Sequence, residues 1–152
     1  MIPIQIASAQ VVGQVLGGKN LDRVLEQVGQ KQTTPATPAP RMPQAMLTPN
    51  ERAAVHSISF DTLRHYGLLA AQLEMLLTAP MADPPVRHLL LVALAQLQFS
   101  KASDHAIVDH AVSATEAMGF VRAKPLVNAV LRNYLRMPDK FARDRFKVDT
   151  AL

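Results

Sequence analysis

The chain has 152 residues, of which 49% are hydrophobic and 5% aromatic, with no tryptophan and no cysteine. That length suits one domain with a substantial core, and the lack of cysteine excludes disulfides, thiolate metal sites and a cysteine nucleophile. The formal net charge is +4, no apolar run approaches the ~20 residues of a membrane span, and the first residues lack the basic segment of a signal peptide; the composition fits a cytoplasmic protein. Packing must come from Ala, Leu, Val and Met, which favours helices over a β-sandwich.

Ile4, Ala7, Val11, Val12, Val15 and Leu16 fit a first amphipathic helix. Gly17-Gly18 ends it, because glycine tolerates the left-handed conformation that closes helices. Asn20 caps a second helix with Leu21, Val24, Leu25 and Val28 on its apolar face. The two make an αα-hairpin. Gly13 and Gly17-Gly18 have the wrong spacing for a dinucleotide fingerprint, and no β-run precedes them.

Residues 31–47 carry Pro35, Pro38, Pro40 and Pro43 among Thr, Ala and Gln. Proline removes donors and blocks helix, so this stretch, 32–47 at its narrowest, reads as an extended, mobile loop. Thr48-Pro49-Asn50-Glu51 is a capping box with proline at the first helical position. The helix it opens runs toward Tyr66, with Gly67 as a bend or junction. Leu68, Leu69, Leu73, Leu76 and Leu77 continue an apolar face. Residues 78–85, with three prolines, read as a loop.

From Val86 to Phe99 the chain is apolar nearly all round, which marks a buried helix at the centre of the domain. Gln96 and Gln98 flank Leu97 and read as its wetter end. Ser103 caps the next helix, with Asp104 in its first turn, and Gly119 closes it. A last helix starts at Pro125 and stops before Pro138. Leu126, Val127, Val130, Leu131, Tyr134 and Met137 share its broad apolar face, and Asn128, Arg132 and Arg136 step by four along the other edge.

The basic charge is uneven. Between Gly119 and Lys147 stand Arg122, Lys124, Arg132, Arg136, Lys140, Arg143, Arg145 and Lys147 against only Asp139 and Asp144. Acidic residues outnumber basic ones in the rest of the chain. A cationic C-terminal end of this kind points to a polyanion partner.

Asp104-His105 and Asp109-His110 raise the question of a metal. His105 and Asp109 share a helix face, but His110 sits about 140° round from His105, and no third ligand is evident. The pattern reads as a capped helix with local ion pairs. Ser57, Ser59, Ser100, Ser103 and Ser113 lie in no nucleophile motif, and no phosphate-cradling glycine loop exists. The chain reads as a binding module, with no catalytic residue assigned.

Five segments resemble the NusB-like domain family. Leu126-Val-Asn-Ala-Val-Leu-Arg132 is similar to its closing helix, and Leu90-Leu-Val-Ala-Leu-Ala-Gln-Leu97 to its buried helix, with Ala95 where an aromatic residue is common. Residues 15–22 resemble the junction of its first two helices, and Leu63-Arg-His-Tyr-Gly67 its Tyr-Gly junction. His105-Ala-Ile-Val-Asp-His-Ala-Val112 resembles a further helix, with Asp109-His110 in place of the usual Asn-Glu. The family occurs as a free-standing antitermination factor and as the N-terminal domain of 16S rRNA (cytosine-C5) methyltransferases of the RsmB type. Met1 to Gly18 has no basic residue, whereas the free-standing factors open with an arginine-rich segment. The methyltransferase branch is therefore the closer resemblance.

The resemblance implies an all-α, NusB-like bundle of about six to seven helices over residues 1–137, with 138–152 starting a linker to a catalytic domain beyond this chain. It implies 16S rRNA and the protein's own C-terminal methyltransferase domain as partners, and no membrane. S-adenosylmethionine is expected in that other domain, together with the two cysteines such enzymes use. Together with the charge pattern it puts RNA contacts at Arg122, Lys124, Asn128, Arg132, Arg136, Lys140, Arg143 and Arg145. The alternatives are a free-standing antitermination factor that binds RNA and a ribosomal protein, and a helical protein–protein adaptor.

Overall fold

The structure is a computed structural model that describes residues 1–27, 47–79 and 83–137. The described residues form seven α-helices: α1 (Ile2–Leu16), α2 (Leu21–Gln27), α3 (Pro49–Arg64), α4 (Tyr66–Leu76), α5 (Pro84–Phe99), α6 (Asp104–Ala117) and α7 (Lys124–Leu135). A 3-10 turn, Val121–Ala123, leads into α7. No strand occurs among the described residues. The Pro-rich loop up to residue 46 and the tail from 138 lie outside them.

The helix ends follow from local chemistry. Thr48 and Glu51 form the expected reciprocal box: the Glu51 N–H donates to Thr48 Oγ1 at 3.1 Å, and the Thr48 N–H donates to Glu51 Oε1 at 2.9 Å. Asn20 Oδ1 accepts from the Asp22 N–H, and Ser103 Oγ from the Ala106 N–H. At the end of α1, Gly18 takes φ 104°. The N–H groups of Gly18 and Lys19 then return to the carbonyls of Val15 and Gln14. Gly119 (φ 94°) does the same after α6, where its N–H and that of Phe120 reach Glu116 and Thr115. Both are Schellman turns, which need a residue at ease with positive φ.

Helix α5 is the axis of the bundle. It packs against α1, α3, α4, α6 and α7, and Leu89, Leu90, Leu91, Val92 and Leu94 are fully buried. Leu69, Leu73, Ile107, Leu131 and Tyr134 meet it on one side, and Ile6, Ala9 and Val12 of α1 on another. A separate cluster holds Ala7, Val11, Val24, Leu47 and Val55 between α1, α2 and α3.

The structure corrects five local expectations. Gln96 and Gln98 are not a wet end but are buried. Gln5 Nε2 donates to Gln96 Oε1 at 2.9 Å and to the Ile107 carbonyl at 3.2 Å. Gln72 and Gln98 exchange amide hydrogen bonds of 3.2 and 2.6 Å. Polar groups with such partners can enter a core that would otherwise reject them. The junction after α3 falls at His65, not Gly67: His65 stacks on Phe99 with ring centroids 4.3 Å apart, and its Nδ1 faces the Asp61 carbonyl at 3.0 Å. Gly67 is helical, within the first turn of α4. Helix α5 begins at Pro84, because prolines lose nothing in a first turn. Leu47, read as loop, is buried beside Val55. Leu126, read as core, is 39% exposed, at the solvent edge of the α7 stripe.

Candidate nucleic-acid interface

Helix α7 buries Val127, Val130, Leu131 and Tyr134 against its neighbours. That leaves Lys124, Asn128, Arg132 and Arg136 in a row at four-residue spacing, about 18 Å from end to end. Arg132 and Arg136 stand at the C-terminal end, where the helix dipole favours cations. Arg122 projects from the preceding 3-10 turn and is exposed, beside Val121, which is 56% exposed.

The row is not uniformly cationic. Arg132 Nε donates to Asn128 Oδ1 at 2.8 Å, and its Nη2 lies 3.7 Å from Asp109 Oδ1 on α6. The other oxygen of Asp109 is 3.2 Å from His105 Nε2. Lys124 Nζ donates to Glu116 Oε2 at 3.0 Å. Two carboxylates of α6 thus answer two cations of α7. Arg122 and Arg136 are exposed and enter no ion pair among the described residues.

Of the residues expected to contact RNA, Lys124, Asn128, Arg132 and Arg136 step along one edge of α7, and Arg122 is exposed on the turn just before it. Lys140, Arg143 and Arg145 lie outside the described residues. Arg132 fits two readings, an RNA contact and a structural residue paired with a carboxylate, and the structure shows it with a carboxylate partner. Its side chain is 37% exposed and is held by two partners, which fixes the guanidinium and partly neutralises it. The sequence does not show that Asp109 and Glu116 face the cations of α7. They stand 23 and 8 positions from the cations they meet, so only the α6–α7 packing reveals them. His110 turns away from His105, with its Nδ1 2.8 Å from the Ala106 carbonyl. Among the described residues no group of three or more His, Cys, Asp or Glu side chains comes together as a metal would need. No helix among them is long and apolar enough to cross a membrane.

The model of the NusB family matches residues 4–136, from the first turn of α1 to the end of α7. The chain belongs to the NusB family. This NusB domain is similar to proteins named ribosomal RNA small subunit methyltransferase B. The one from Vibrio vulnificus is 32% identical over 127 residues, covering 82% of this chain and 29% of the relative. The one from Sodalis glossinidius is 31% identical over 153 residues, covering 96% and 31%. The one from Pseudomonas syringae is 38% identical over 88 residues, covering 57% and 20%. The NusB domain therefore spans less than a third of the length of these relatives.

Proposed function

We propose that this NusB domain is the RNA-binding N-terminal part of a cytoplasmic, S-adenosylmethionine-dependent rRNA (cytosine-C5) methyltransferase, and that it recognises or orients 16S rRNA for a C-terminal catalytic domain. The observation that carries the reading is the match to several rRNA small subunit methyltransferases B over under a third of their length, the share a recognition domain would take. On this reading the cofactor and the reactive cysteines belong to the catalytic domain; this chain has no cysteine to supply.

The role of the α7 edge follows from its electrostatics. Arg122 and Arg136 offer guanidinium forks to phosphate oxygens without first giving up a carboxylate. Lys124 and Arg132 must exchange Glu116 and Asp109 for phosphate, so they contribute less. The exposed Val121 and Leu126 add apolar surface beside the cations.

The test is a salt titration of binding to a 16S rRNA fragment by fluorescence anisotropy. The double substitution Arg122→Ala with Arg136→Ala is expected to flatten the log affinity against log salt slope by roughly one to two units. Melting should stay unchanged, since both side chains are exposed. An unchanged slope would move the RNA contact off this edge.

A further inference from the structure

A cavity of about 250 Å³ lies where α1, the start of α5 and the end of α6 meet. Gly13 of α1 forms one wall and His88 of α5 another, with Pro85 and Met118 beside them and Gln10 and Gln14 along α1. A Cβ on Gly13 would sit 2.7 Å from His88 Nδ1, so any larger residue there would push the imidazole away from the α1 backbone. Burial, and then the charge of Arg87, lower the His88 pKa from its ordinary value of 6.5. At neutral pH the ring is uncharged.

The chemistry of the walls selects a class of ligand. A neutral imidazole, a proline ring and a thioether form a polarisable, mainly apolar surface. The two glutamine amides each donate and accept. The volume lies below that of pockets for drug-sized ligands and suits one flat heterocycle. Met118 precedes Arg122 by four residues, so the chain keeps the cavity within about 14 Å of that cation, a span of a few nucleotides.

We propose that this cavity receives an unpaired base of the RNA strand whose phosphates lie along the α7 edge, the base stacking on His88 while Gln10 and Gln14 meet its hydrogen-bonding edge. This rests on the RNA-binding reading. Single-stranded RNA is commonly read in this way, by bases splayed out onto ring faces and amides. His88 and Gly13 then act as a pair, one giving the ring and the other the room.

The test uses the full 152-residue chain carrying ¹³C-methyl methionine, with the Met118 signal assigned through Met118→Leu. The probes are octauridylate, octaadenylate and an octameric ribose-phosphate strand without bases. Strands with bases should shift the Met118 methyl and the His88 ring signals. The baseless strand should bind about ten-fold more weakly and leave both unmoved. His88→Ala should bring the base-bearing strands down to the baseless affinity. Gln10→Ala with Gln14→Ala, which spares the Gly13–His88 contact, should weaken them in the same direction. Equal binding of all three strands with Met118 unmoved would overturn the cavity's role and leave the RNA-binding reading standing. If no strand binds, the RNA-binding reading falls. Nucleoside monophosphates at millimolar concentration then decide the cavity alone: a saturable Met118 shift supports it, and an unmoved signal overturns it.

Discussion

Helices α5 and α7 both mix leucine and valine with polar residues, yet they treat those residues in opposite ways. Helix α5 takes Gln96 and Gln98 into the core: Gln98 and Gln72 exchange amide bonds, while Gln96 accepts from Gln5 and donates to the Met1 sulfur. Helix α7 keeps its amide and charged side chains at or near the surface, and two of its cations are answered there by Glu116 and Asp109. The fate of a polar side chain is decided by what stands across the interface, not by the helix that carries it. An amide pair that exchanges both bonds can be closed in a dry interior at little net cost, whereas a guanidinium remains near water and needs a counter-charge only where it is withdrawn from it.

Substitutions can sharpen that contrast, beginning where the effect is largest. Leu90→Ala in the centre of α5 should cost about 2–5 kcal/mol in urea unfolding, while Leu126→Ala on the outer edge of α7 should stay within about 0.5 kcal/mol. Similar losses at both sites would mean that Leu126 packs as a core residue despite its exposure. Next comes Gln98→Ala, which strands the Gln72 amide in the core and should cost about 1–3 kcal/mol. Gln72→Leu together with Gln98→Leu should recover much of that loss, and additive costs would break the account of a paired amide.

Asp109→Ala should change stability by about 1 kcal/mol or less, as exposed ion pairs do. It should also free Arg132, so that affinity for the 16S rRNA fragment rises and the salt slope steepens by up to about one unit. A fall in affinity would make Asp109 a support of the interface rather than a competitor.

The smallest effect concerns His88. Its pKa is lowered in the folded state, so the unfolded chain binds the proton more readily. The stability it contributes is complete above the ordinary histidine value of 6.5 and is lost as pH falls below it. Melting temperature should therefore decline between neutral pH and pH 5.5, and His88→Phe should flatten that decline. An equal decline in both proteins would assign the slope to other groups.

Much of the fold was legible in the sequence because it rests on short-range chemistry. The Thr48–Glu51 box, the Asn20 and Ser103 caps and the turns at Gly18 and Gly119 each act over a few residues. The uninterrupted apolar run of α5 announced its central place. What was not legible depends on distant partners. Nothing near Gln96 signals that Gln5 will meet it, and nothing near His65 signals the ring of Phe99. The candidate site divides in the same way. The four-residue row on α7 could be read directly, but its partial neutralisation by α6 and the approach of Gly13 to His88 could not.

The bonds of Gln5 also set an order in time. Its partners Gln96 and Ile107 lie 91 and 102 residues later in the chain. At about 5–20 residues per second of synthesis, α1 waits roughly 5–20 s for its main neighbour to be made. Through that interval the stripe of Ile6, Ala9 and Val12, which α5 later covers, has no α5 to bury it. Helices α6 and α7, joined by a short turn, can pair as soon as both exist. A nascent chain arrested before α5 should therefore recruit a chaperone through its first helix, and one arrested after α7 should release it.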